Sequence, residues 1–165
     1  MSRPLVSIVT TYLEMHDPAA LRPGRPPAVA AELREVRDPA VNRACYEAIG
    51  ADWAWTDRLA WTPERWAAYA AGVETLVAAT EAAPAAGYAE LCAGDGKGVE
   101  IAMLGLRREL HGLGLGGWLL TEATRRAWAL HPGGTRRVWL HTCTLDGPHA
   151  LANYEARGFA AYKRI

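Results

Sequence analysis

The sequence predicts a single α+β domain built on a mixed sheet, and the order of its segments is what predicts it. Strand-like segments come first, with only two short helices among them; strand, helix, strand and helix then alternate in the last third. A run of glycines, Gly112-Leu113-Gly114-Leu115-Gly116-Gly117, separates a strand from the longest helix. At 165 residues the chain fits one domain with one core, and no internal repeat divides it.

Residues 5–15 form the first expected strand, given β-branched character by Val6, Ile8 and Val9. Residues 17–39 are rich in Pro, Ala and Arg and keep no period, and 22–27 are expected to be a loop. A short helix is expected over 40–49, and a second over 63–71, with Thr62 as its cap and Pro63 in its first position. Three strands follow at 73–80, 85–93 and 98–106, joined by turns at Ala82-Ala83-Pro84 and Gly94-Asp95-Gly96. Strand alternation sets Glu100 on the face of Ala102 and Leu104. A long helix over 118–130 continues from the glycines. Leu115, Leu119, Ala123, Ala127 and Leu130 share one face, Glu122, Arg125 and Arg126 turn away, and His131-Pro132-Gly133-Gly134 ends the helix. A strand at 136–142 and a short helix within 150–159 complete the order.

Composition excludes several classes of function. Lys plus Arg equals Asp plus Glu at 18 each, and no basic run appears, so neither nucleic acid nor an anionic membrane is an expected partner. No apolar stretch approaches a membrane span, and Met1-Ser2-Arg3-Pro4 leads toward a strand rather than a signal peptide. Three widely spaced cysteines, an odd number, argue for reduced thiols in a cytoplasm.

Glycines at alternate positions strip side chains from a turn where a helix begins. Unpaired N–H groups and the positive end of the helix dipole then face open space, which suits a phosphate. Gly112, Gly114 and Gly117 satisfy the dinucleotide spacing G-x-G-x-x-G, but the loop comes late, and Arg136 and Arg137 stand near where an acidic residue is required. A P-loop is excluded because Trp118 follows Gly117 in place of a Lys-Ser/Thr pair. Taken alone, the run is also compatible with a plain helix start.

The segments after the loop, Arg136-Arg137-Val138-Trp139-Leu140-His141-Thr142 and Ala150-Leu151-Ala152-Asn153-Tyr154-Glu155-Ala156-Arg157-Gly158-Phe159, place it in a wider pattern. Together, over residues 97–162, they resemble the GNAT superfamily of acyl-CoA-dependent N-acetyltransferases. Its signature is a strand, Arg/Gln-x-x-Gly-x-Gly/Ala opening a helix, a further strand, and a helix ending Leu-Tyr-Glu-x-x-Gly-Phe. Trp-Leu-His-Thr-Cys-Thr-Leu-Asp followed by Asn-Tyr-x-x-Arg-Gly-Phe looks like a bacterial subgroup without a settled substrate. The chain departs from the pattern twice: His111 stands where the family usually has Arg or Gln, and Gly147 where many members have Asn.

The resemblance implies a mostly antiparallel mixed sheet, splayed between its middle strands and flanked by helices. One domain spans 1–165, with an acceptor-side half at 1–96 and an acetyl-CoA half at 97–165. It further implies that Leu104, Gly105 and Leu106 receive the pantetheine arm, the Leu104 N–H polarising the thioester carbonyl. His111, Gly112, Leu113, Gly114, Leu115, Gly116 and Gly117 would hold the diphosphate. Tyr154 aligns with the tyrosine that serves as general acid, against the plainer reading of a packed helix tyrosine. Glu100 stands where members place a carboxylate near the acceptor amine; an exposed strand glutamate is the alternative, and Glu90 the substitute base.

Trp53, Trp55 and Asp57, followed by Trp61 and Trp66, fall in the region that forms the substrate wall in such folds, where aromatic faces and a carboxylate favour an ammonium ligand. Packing of two short helices onto the sheet explains the same tryptophans. Tyr12 and Glu14 are weaker candidates for that wall. His141, Cys143, Asp146 and His149 match no usual zinc spacing, so no metal is expected. The expectation is an N-acetyltransferase using acetyl-CoA on a small-molecule primary amine, with homodimerisation left open. Its rivals are a non-catalytic acyl-CoA sensor and an enzyme acting on a protein or peptide amine.

Overall fold

A computed structural model describes residues 6–165; Leu5 and the opening Met1-Ser2-Arg3-Pro4 lie outside the described residues. The strands are β1 (Thr10–Met15), β2 (Ala31–Val36), β3 (Glu74–Thr80), β4 (Gly87–Ala93), β5 (Gly98–Leu106), β6 (Arg137–Cys143) and β7 (Ala160–Arg164). The helices are α1 (Pro39–Gly50), α2 (Pro63–Ala71), α3 (Leu115–Trp128) and α4 (Ala150–Ala156). Among the described residues all seven strands join one sheet in the order β2-β3-β4-β5-β6-β1-β7. Only β5 and β6 run parallel; the other neighbours are antiparallel, as the fold expectation requires.

Capping places the first two helices. Asp38 accepts a hydrogen bond from the Ala40 N–H at 3.0 Å and Thr62 accepts one from Arg65 N–H at 3.2 Å, each with proline next in the chain. The long helix starts at Leu115, three residues before the expected Trp118, behind Gly114 in the left-handed conformation at φ 77°. Gly116 and Gly117 therefore lie in its first turn. Leu115, Leu119, Ala123 and Ala127 are buried as expected, while Leu130 falls beyond the helix end.

Two strands arise where none was expected. β2 occupies the Pro/Ala/Arg-rich segment, an edge strand whose alternation is carried by charges rather than large apolar residues. β7 is exposed throughout and is held by β1 alone, so it carries no hydrophobic period to read.

The sheet separates two layers. Val99, Ile101, Leu120, Ala123, Val138, Leu140 and Phe159 form the core toward α3, while Cys45, Ile49, Val77 and Tyr88 form a smaller one under α1. A bulge between β4 and β5 pairs Glu90 with Met103 and Leu91 with Ile101, leaving Ala102 as the extra residue. It corrects the face expected for Glu100. That side chain shares its face with Met103, whereas Leu104 packs with the α3-side clusters.

Candidate active site

The parallel ladder between β5 and β6 is short, covering only Gly98–Arg137, Val99–Val138 and Glu100–Trp139. Beyond Glu100 the strands separate, and residues 101–106 have no strand partner on that side. The gap widens into a cleft of about 1160 Å³ that runs from the start of α3 to the loop between α1 and α2.

Backbone dominates one wall of the cleft. Leu104, Gly105, Leu106, His111, Gly112, Gly114, Gly116 and Gly117 all line it. Leu113 and Leu115 do not: Leu115 is in the core at 1% exposure, and Leu113 packs against the same cluster. Any part these two take is through their main chain. The glycines are glycine for different reasons. Gly112 and Gly114 have φ of 83° and 77°, where a side chain is strained. A Cβ at Gly117 would sit 2.6 Å from the Arg157 guanidinium, so a side chain there would displace the end of that arginine. Gly116 has neither reason: a Cβ would meet only Leu106 and Asn153, at ordinary distances of 3.7 and 3.9 Å. Its missing side chain leaves room at the first turn of a 14-residue helix, where N–H groups are unpaired and the dipole is positive. Asn153 closes this end by donating its amide to the Gly116 carbonyl at 3.3 Å.

Side chains build the opposite wall. Trp53, Trp55 and Asp57 line the cleft, together with Tyr46, Arg58 and Tyr69. Trp55 lies against Gly50 and Gly105, where a Cβ on the latter would sit 3.0 Å from the indole, so this ring both packs and faces the cleft. Trp66 is core at 2% exposure. Arg58 is held among the rings of Tyr46, Trp61, Trp66 and Tyr69, and donates to the Glu90 carboxylate at 2.9 Å and to the Tyr69 hydroxyl at 3.0 Å. Glu90 also accepts from Asn42 at 2.6 Å and is fully buried. That carboxylate is committed to Arg58 and sealed from the cleft, which removes it as a substitute base. Arg58 stands inside the tryptophan-rich segment, but the partner that places it, Glu90, is 32 residues away.

Trp53 links the two walls. Its indole stacks on His111 at 6.0 Å with 7° between the planes, and lies 3.2 Å from where a Cβ of Gly147 would be. His111 directs Nε2 to the Leu106 carbonyl at 3.3 Å. The two departures from the family pattern thus touch the same ring, and glycine at 147 makes the room it occupies.

Glu100 and Tyr154 both line the cleft. Burial raises the Glu100 carboxyl above the ordinary carboxylate range, against the lowering influence of His141 and Arg58. Tyr154 is buried on α4, and burial, with the Asp146 carboxylate adding to it, pushes its phenol well above the usual value, so it stays protonated. Tyr12 does not reach the cleft. It lies on β1 against Trp139 and His141, and Glu14 is bound to Arg137 at 2.6 Å. His141, expected only as a strand residue, is part of the cleft lining beside Glu100. Among the described residues no group of three or more His, Cys, Asp or Glu is placed to hold a metal ion. Nor is any helix long and apolar enough to cross a membrane.

The family model described as "Acetyltransferase (GNAT) family" matches residues 39–159, and the chain belongs to that family. Among solved structures it is similar to a GCN5-related N-acetyltransferase from Kribbella flavida, 22% identical with a TM-score of 0.65, over 94% of this chain and 55% of that one. A GCN5-related N-acetyltransferase from Sphaerobacter thermophilus is 20% identical with a TM-score of 0.67, over 95% and 49%. An IAA acetyltransferase from Bacillus cereus ATCC 14579 is 20% identical with a TM-score of 0.61, over 81% and 79%. At these identities the likeness is one of fold. The chain spans about half the length of the first two structures. No curated protein matches it.

Proposed function

We propose that this member of the GNAT family transfers an acetyl group from acetyl-CoA directly to the primary amine of a small molecule. Gly116 carries the reading: it is a glycine that neither backbone conformation nor protein packing requires, and it opens a helix start onto the cleft. The N–H groups of residues 112–117 bind the diphosphate. The β5 edge at Leu104, Gly105 and Leu106, without a strand partner, hydrogen-bonds the pantetheine arm, and the Leu104 N–H polarises the thioester carbonyl. Glu100 accepts a proton from the acceptor ammonium, directly or through water. The freed amine forms the C–N bond, and Tyr154 protonates the sulfur as the C–S bond breaks. Trp55 and Asp57 face the acceptor, their ring and carboxylate suiting a cation. The partly enclosed aromatic wall favours a small acceptor over a protein surface.

The test pairs binding with turnover. Acetyl-CoA binds by calorimetry, and mass spectrometry of a primary-amine library shows acetylated product with release of free thiol. Tyr154→Phe lowers kcat at least about tenfold and leaves acetyl-CoA affinity unchanged. Tight acetyl-CoA binding with no acetylated amine would instead identify a sensor.

A further inference from the structure

Where β5 and β6 part, two side chains face one another across the opening. Glu100 is the last β5 residue paired with β6, and His141 stands two residues beyond its partner Trp139. Their nearest atoms, Glu100 Oε1 and His141 Nε2, are 3.8 Å apart, and both residues line the cleft. They differ in access to water, with side-chain exposures of 25% for Glu100 and 46% for His141. The imidazole is flanked by the Tyr12 ring at 5.3 Å and the Trp139 ring at 6.5 Å, which orient it along the cleft rim. Resting on the acetyl-transfer reading above, we propose that His141 is a relay residue, passing to bulk solvent the proton that Glu100 takes from the acceptor ammonium.

Proton balance explains why a relay is useful. An ammonium that becomes an amide loses two protons. One ends on the leaving sulfur, by way of Tyr154, and the other must leave the enzyme. Glu100 receives that second proton inside a cleft from which bulk water is partly excluded, and each turnover must clear it. The imidazole lies 3.8 Å from Glu100 and is the more exposed of the two side chains, so a proton handed from Glu100 to His141 moves outward toward bulk water. Other groups around the pair are accounted for. Cys92 on β4 lies opposite Glu100, Arg58 acts on Glu100 from the α1–α2 loop, Tyr12 faces His141 from β1, and Arg137 and Cys143 lie on its own strand. Of the charged ones, Arg58 is bound to Glu90 and Arg137 to Glu14, which leaves Glu100 and His141 facing each other.

His141→Gln tests the relay, with benzylamine, tryptamine and cadaverine as acceptors. At pH 7 kcat falls by about tenfold with KM for acetyl-CoA unchanged. The loss shrinks as pH rises and more acceptor arrives as free amine, and added imidazole restores turnover. A residue that only packed against Tyr12 would show neither behaviour. Combined with Glu100→Gln, the double variant is no slower than the slower single one, because the two act in series. Turnover of His141→Gln at the wild-type level, or losses that simply add, overturns the relay. If the wild type acetylates none of these amines, the relay is judged without turnover, by carbon-13 NMR of the Glu100 carboxyl. His141 holds that carboxyl down, so its titration midpoint rises in His141→Gln; an unchanged midpoint overturns the pair. Acetyl transfer itself is judged separately, by the wild-type assay on the full amine library.

Discussion

The wall formed by the end of β5 and the first turn of α3 presents mainly peptide groups, whereas the wall between α1 and α2 presents side chains held by other side chains. The first needs glycine at a few neighbouring positions and a strand without a partner. The second needs Arg58 to meet Glu90, four aromatic rings to close on that guanidinium, and Asn42 to reach across from α1. A backbone site is local in sequence and tolerant of the residues around it. A side-chain site is assembled from distant positions and fails when one member is lost. The two walls should therefore respond to mutation in different observables, stability on one side and affinity on the other.

The largest separation is expected from Glu90→Gln. It leaves the Arg58 charge buried without its carboxylate, which costs about 3–5 kcal/mol of unfolding free energy, read as a lower urea midpoint. Acetyl-CoA affinity of the folded protein stays the same. Gly116→Ala gives the reverse. A methyl there meets no close protein atom, and alanine suits a helix better than glycine, so stability holds or rises by up to about 1 kcal/mol. Acetyl-CoA binding by calorimetry weakens by about thirtyfold, close to 2 kcal/mol. Equal loss of stability and affinity in either variant would erase the distinction between the walls.

The pH profile of kcat sharpens it further. Burial raises the Glu100 carboxyl, so below that raised value the residue is protonated and cannot accept a proton. Activity accordingly rises with pH through a limb above the ordinary carboxylate range, and Glu100→Gln removes the limb. Because Tyr154 is held protonated by burial, no loss of activity belongs to it up to about pH 10. The smallest effect is expected at the link between the walls. Trp53→Ala removes one ring from the stack on His111, an interaction of about 1 kcal/mol, and changes acetyl-CoA affinity about threefold or less.

Much of the backbone wall was legible in the chain itself. The glycine run, the strand before it and the helix after it are contiguous, and α2 was placed by Thr62 and Pro63 over the residues it occupies. Legibility failed where periodicity carries no information. β2 alternates through charged residues, and β7 is exposed on every residue, so neither has an apolar stripe. The face of Glu100 was misread because one extra residue, Ala102, inverts the alternation, and a bulge leaves no mark in a single strand's sequence. Tyr12 was placed at the acceptor wall from its position at the end of a strand. Only the strand order puts β1 between β6 and β7, where Tyr12 packs on Trp139 and His141 and does not line the cleft.

The sequence by itself determined the order of elements from α2 to α4, the glycine-bared helix start and the presence of a carboxylate and a phenol in the segments that flank it. These follow from local propensities and short-range spacing, which act between residues close in the chain. The tertiary structure alone decided where β5 and β6 part, which face Glu100 takes, that Glu90 is sealed against Arg58, and that His141 stands opposite Glu100. Each of these depends on register or burial between residues tens of positions apart. Such contacts are chosen by the packing of the whole sheet and its helices, and no single segment encodes them.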